Sequence, residues 1–244
     1  MKHVRGLLIA MTMLVLSISS GHALAQATSA PPVQSVMAIN ILLLPDATMV
    51  RHAQAVNARL RGIYPNGFSL DAAHHPHITL FQCFVPTADL ERVYAAADKV
   101  LARTDVTALN LKAFKSYYFP MESLGLSGIV VEPTPELVQL QRDLIAAVAP
   151  YTVKTATSAA FVIAAQDPDI QPVLIHYIEE FATAHAGQHF QPHVTTGVAP
   201  RDYLDKLLAE PFDAFTFSPA GAAVYQLGSY GTAAKALKRF APKP

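Results

Sequence analysis

The chain has 244 residues, 18 basic against 18 acidic side chains and 52% hydrophobic residues. That content excludes an intrinsically disordered chain, and the even charge balance gives no sign of the basic face that grips long nucleic acid by counterion release. The lone cysteine, Cys83, excludes an internal disulfide and, inside an apolar run, reads as a core residue.

Lys2 and Arg5 precede an apolar run over residues 7–18, and small residues then end in Ala23, Leu24 and Ala25. This is the pattern of a secretory signal peptide with an A-x-A cleavage site, and the run is shorter than the roughly 20 apolar residues of a membrane span. Residues 1–25 are therefore expected to be removed, giving a periplasmic or secreted protein with no membrane association and a slight acidic excess. Residues 26–36 read as a flexible lead-in, and residues 37–244 as one bilobal domain, expected to be monomeric.

Order is expected from Met37. Residues 37–44 form a buried strand stopped by Pro45, and Asp46 caps a helix reaching Gly62. Residues 77–84 form a strand entered through Pro76 and left through Pro86, followed by a helix capped by Thr87, with Leu90, Val93, Tyr94, Ala97, Val100 and Leu101 on its apolar face. Strands follow at 108–115 and 124–131. Thr134 caps the next helix and Pro135 opens it.

Residues 151–165 are ambiguous, and a helix is expected over 171–186. A strand at 193–198, Pro200, a short helix carrying Leu204, Leu207 and Leu208, and strands at 212–217 and 222–227 close the chain. Helix, His-x-Thr strand, proline, helix, strand, strand thus occurs twice. A duplication of this kind places equivalent strands across one cleft in an α+β fold: two lobes, antiparallel-rich sheets, helices outside.

Side chains alternate along a strand, so His77 and Thr79 share a face roughly 7 Å apart, as do His193 and Thr195. Two imidazoles facing one phosphorus can supply the base for the attacking water and the acid for the leaving oxygen near neutral pH, and the threonine hydroxyls can hold the non-bridging oxygens. No metal or other cofactor is expected. His74, His75 and His77 lack matching Cys, Asp or Glu spacing, and Pro192 interrupts the helix that would align His185, His189 and His193.

The strings His75-Pro76-His77-Ile78-Thr79-Leu80 and Gln191-Pro192-His193-Val194-Thr195-Thr196 resemble the paired signatures of the two-histidine (2H) phosphoesterase superfamily, with its 2′-5′ RNA ligase-like and cyclic phosphodiesterase branches. The segment 227–233 looks like the closing segment of bacterial members. The resemblance implies a pseudo-twofold fold and a metal-independent phosphodiesterase acting on a small cyclic phosphate, such as a nucleoside 2′,3′-cyclic phosphate. The alternatives are a 2′-5′ oligonucleotide ligase or phosphodiesterase, and a non-catalytic nucleotide-binding module; the expected partner is a small nucleotide or short oligonucleotide.

Phe81 stands where bacterial members often carry an arginine, and alternation puts it on the cleft face, where it could stack on a base or be ordinary core. Thr196 replaces a usual leucine, and the same alternation puts Gly197 on the cleft face. Tyr225, on the last expected strand, is a further candidate for substrate contact.

Overall fold

A computed structural model describes residues 35–241 of the chain. The expected leader at 1–25, and the lead-in up to residue 34, lie outside the described residues. The apolar run expected to open the fold forms β1 (Val36–Pro45), whose last eight residues are buried. Asp46 then caps α1 (Ala47–Ile63): one carboxylate oxygen accepts from the Thr48 and Met49 amides at 2.8 and 3.1 Å, and the other accepts from Ser218 N at 3.0 Å. A single aspartate therefore starts the helix and ties it to a segment 172 positions away.

The first His-x-Thr strand is β2 (Ile78–Pro86). It is followed by α2 (Leu90–Leu101), β3 (Leu111–Met121), β4 (Leu124–Val131) and α3 (Pro135–Val148). Thr134 accepts from Leu137 N at 3.3 Å at the start of α3. Thr87 does not cap α2; it sits in a short 3-10 turn, and its hydroxyl bonds Ser35 O instead. The remaining elements are α4 (Pro172–Glu179), α5 (Phe181–Ala184), β5 (His193–Pro200), α6 (Arg201–Ala209), β6 (Phe215–Phe217), β7 (Pro219–Leu227) and β8 (Ala233–Arg239).

The eight strands make one antiparallel sheet in the order β6-β3-β4-β5-β2-β1-β7-β8. The fold is α+β, and the sheet order carries the repeat. Reading outward from the centre, β2 corresponds to β5, β1 to β4, β7 to β3 and β8 to β6. The two halves exchange strands, since β7 from the second repeat pairs with β1, while β3 and β4 from the first join β5. Where they meet, β2 and β5 share one register pair, Ile78 with Val194. Helices α1 to α3 bury Met49, Ala53, Val93, Ala97, Leu137 and Leu144 against one sheet face, together with Ile39, Ile78, Ile129 and Val194.

Besides the Thr87 cap, three sequence expectations change, and the ambiguous stretch resolves. The helix expected over 171–186 is broken at Glu180, which lets Phe181 turn in to within 6.0 Å of the Phe81 ring. Residues 151–165 hold 3-10 turns and one isolated bridge, Phe84 with Val153. Leu208 is 42% exposed and does not join the core. Strand β8 went unexpected because Ala-Ala-Lys-Ala-Leu-Lys-Arg has the composition of a helix; as an edge strand its lysines face solvent and discourage further pairing.

Candidate active site

Around the Ile78–Val194 pair, antiparallel register sets His77 across from Thr195 and Thr79 across from His193. The four side chains share a face, with cross-strand neighbours about 5 Å apart and diagonal ones about 7–8 Å. The two imidazoles thus lie on one diagonal of a four-cornered patch and the two hydroxyls on the other. All four line a cavity of about 560 Å³.

The imidazoles are oriented identically. His77 Nδ1 lies 2.7 Å from the His75 carbonyl, and His193 Nδ1 lies 2.8 Å from the Gln191 carbonyl. A carbonyl only accepts, so each Nδ1 donates, which leaves each Nε2 to exchange a proton with a ligand. In both motifs the accepting residue precedes a proline, Pro76 or Pro192, which holds it extended. Burial drives the His77 pKa down to about 4, opposed by the His75 carbonyl and reinforced by His193 and His75. His193 is also held below its ordinary value by burial, against the Gln191 carbonyl, but it remains partly exposed.

Asn40 on β1 donates from Nδ2 to Thr79 Oγ1 at 2.9 Å. Its Oδ1 and the Oε1 of Gln82, its register partner, are buried without a hydrogen-bond partner. The corresponding position on β4 is Leu126, so the amide beside Thr79 has no counterpart at the equivalent register position.

Both His-x-Thr strands carry a bulge just after the threonine. Thr79 pairs with Leu42 and Phe81 with Ile41, leaving Leu80 extra; Thr195 pairs with Gly128 and Gly197 with Ser127, leaving Thr196 extra. A bulge reverses the alternation beyond it. Phe81 therefore turns into the core, 4% exposed, and Gln82 takes the cleft face. The expected stacking role for Phe81 is corrected on this ground. Gly197 likewise faces α1: a Cβ there would lie 2.9 Å from Asn57 Nδ2. Tyr225 also lies outside the cavity, with its hydroxyl accepting from Arg239 at 3.2 Å and its ring edge-on to His75.

Other lining residues carried weaker sequence signals. Tyr117 meets His193 edge-on at 5.0 Å, and it can lie there because residue 128 is glycine; a Cβ would sit 2.6 Å from its ring. Burial raises the Tyr117 hydroxyl pKa, and that of Tyr177 to about 12, so both stay neutral donors. Tyr177 stacks on His185 at 4.2 Å. His185 and His189 do reach the cavity, but among the described residues no group of three or more His, Cys, Asp or Glu is placed to hold a metal ion.

Buried His74 bridges Asp71 at 3.0 Å and Asp167 at 3.1 Å, and Ser229 donates to Pro168 O at 2.7 Å. Together these contacts fix the segment that brings Pro168 and Asp169 to the cavity.

Residues 49–224 match the 2′-5′ RNA ligase superfamily. Among solved structures, the chain is similar to TT0787 of Thermus thermophilus at 17% identity and a TM-score of 0.53, covering 85% of this chain and 98% of that one. E. coli LigT complexed with 3′-AMP follows at 14% identity and a TM-score of 0.42, covering 86% and 100%. Usb1 of Kluyveromyces marxianus with uridine monophosphate has 13% identity and a TM-score of 0.42, covering 82% and 98%. No curated protein matches the chain.

Proposed function

Because the chain belongs to the 2′-5′ RNA ligase superfamily, whose match spans both His-x-Thr strands, we propose that it is a metal-independent phosphodiesterase opening a small cyclic phosphate, such as a nucleoside 2′,3′-cyclic phosphate. The observation that carries this reading is the diagonal pair of imidazoles, each with Nδ1 tied to a backbone carbonyl and Nε2 left for the reacting groups.

His77, the more deeply buried and neutral down to about 4, is the base. It takes a proton from water as the water oxygen bonds phosphorus. His193, partly exposed, is the acid: protonated at Nε2, it gives that proton to the ester oxygen as its bond to phosphorus breaks. Thr79 and Thr195 donate to the non-bridging oxygens, whose charge builds during transfer. The leader read in the sequence would deliver the enzyme outside the cytoplasm, where RNA breakdown leaves such cyclic ends.

The test is hydrolysis of the four nucleoside 2′,3′-cyclic phosphates with EDTA present, beside His77→Ala and His193→Ala. Turnover that survives the chelator and falls at least about 100-fold in each variant is expected, the usual range for removing a general acid or base. Loss of activity with EDTA would sink the metal-free mechanism. Tight nucleotide binding without turnover would leave a binding module, and cleavage confined to 2′-5′ linkages would point to the oligonucleotide reaction.

A further inference from the structure

The two histidines and two threonines make up only part of the cavity's lining; beyond them Gln171, Gln188, Gln191, His185 and His189 bring polar groups, and one wall is apolar. Tyr117, Phe119 and Met121 alternate onto the cleft face of β3, Leu126 of β4 stands beside them, and Val173 and Leu174 of α4 also line the space. Phe119 is 50% exposed and Val173 60%, so apolar surface continues to the rim. Among the described residues neither lysine nor arginine lines the cavity, and Asp169 is its single carboxylate. A second phosphate, or an oligonucleotide tail, would give up hydration there without meeting a fixed cation. The wall is also particular to one half of the molecule. The pseudo-twofold counterpart of Phe119 is Tyr225, since they pair with Leu126 and Asn40 respectively, and Tyr225 is packed away from the cavity.

We propose that this site selects a singly charged phosphodiester bearing one bulky apolar substituent, seated against Phe119, Leu126 and Val173. The proposal rests on the phosphodiesterase reading above and adds the substrate class. The phosphate sits over the two histidines, and the apolar group leaves water for a wall that is otherwise half exposed. A volume near 560 Å³ lies within the roughly 300–1,000 Å³ of pockets that enclose a ligand of drug size.

The experiment is a series of 4-nitrophenyl phosphodiesters with methyl, ethyl and butyl as the second ester, run beside uridine 2′,3′-cyclic phosphate. Each methylene buried is worth roughly fourfold, so kcat/KM is expected to rise about fiftyfold from methyl to butyl. Phe119→Ser with Val173→Asp, both at exposed positions that leave the core intact, is expected to cut that ratio below about fivefold. Binding reads the same preference without chemistry: dibutyl phosphate should bind at least about tenfold more tightly than dimethyl phosphate by calorimetry. Equal rates and equal affinities along the series, with the cyclic nucleotide still turned over through both histidines, would overturn the apolar preference and leave the phosphodiesterase standing. No turnover of any ester would remove the phosphodiesterase reading, and the calorimetric comparison would then decide whether the apolar preference survives as binding alone.

Discussion

Asn40 is the one polar side chain in the buried run of β1, and it decides what the Thr79 hydroxyl can do. Because Nδ2 donates to Oγ1, the hydroxyl proton is left for a phosphate oxygen. Asn40→Ala frees the hydroxyl to rotate and should lower kcat/KM about tenfold, near the value of one hydrogen bond. Asn40→Asp should cost more, about 100-fold, because a carboxylate accepts that proton and removes the donor from the substrate. In a Thr79→Val background Asn40→Asp should add little, and a double-mutant cycle measures this. Losses that simply add would place the effect of Asn40 elsewhere. The histidines and threonines were legible in the sequence because two His-x-Thr strings, each after a proline, open repeated units. Asn40 and Gln82 carried a fainter signal, each a lone amide in an apolar strand; nothing but the register shows that they are neighbours.

Alternation agrees with the structure as far as Thr79 and not beyond it, because the bulge adds a residue that strict alternation does not count. Phe81 and Gln82 therefore exchange the places expected of them. The exchange predicts opposite fates for two adjacent substitutions. Phe81→Arg puts a guanidinium into the core beside Phe181, where an unpaired buried charge costs about 3–5 kcal/mol. Gln82→Arg reaches the cavity and should change stability by less than about 1 kcal/mol. Denaturant midpoints of the two variants measure the difference, and equal losses would mean that residue 81 does not face the core. The sequence also concealed the break at Glu180. That position is neither proline nor glycine, and the turn there follows from Phe181 packing against Phe81, a contact between distant parts of the chain. Caps are legible in two cases of three: Asp46 and Thr134 accept the amides expected of them, while Thr87 caps nothing because a 3-10 turn separates it from α2.

At the scale of the molecule, the repeated order of elements indicated two related halves, while the exchange of strands between them came only with the sheet order. That arrangement buries His77 and half-buries His193 at the seam, and burial sets how the protein responds to acid. His77 is lowered to about 4, and His75, His185 and His193 are lowered too. Unfolded, each takes a proton near 6.5. Between about pH 6.5 and 4 the unfolded chain therefore holds more protons than the folded one, and stability falls as pH falls through that window. For His77 alone the loss is about 2 kcal/mol at pH 5.

A bound phosphodiester anion works in the opposite direction, because it favours imidazolium, and among the described residues no lysine or arginine lines the cavity to supply the charge instead. Binding and proton uptake are thus coupled. Above about pH 7 the apparent affinity for dibutyl phosphate should fall roughly tenfold per pH unit. Calorimetry at pH 7 in buffers of different ionisation enthalpy should show close to one proton taken up per ligand, and the His77→Ala/His193→Ala double variant should take up none. Affinity independent of pH, with no proton uptake, would mean that the anion is held by uncharged donors alone, and that the acid-base pair is not assembled by the substrate it acts on.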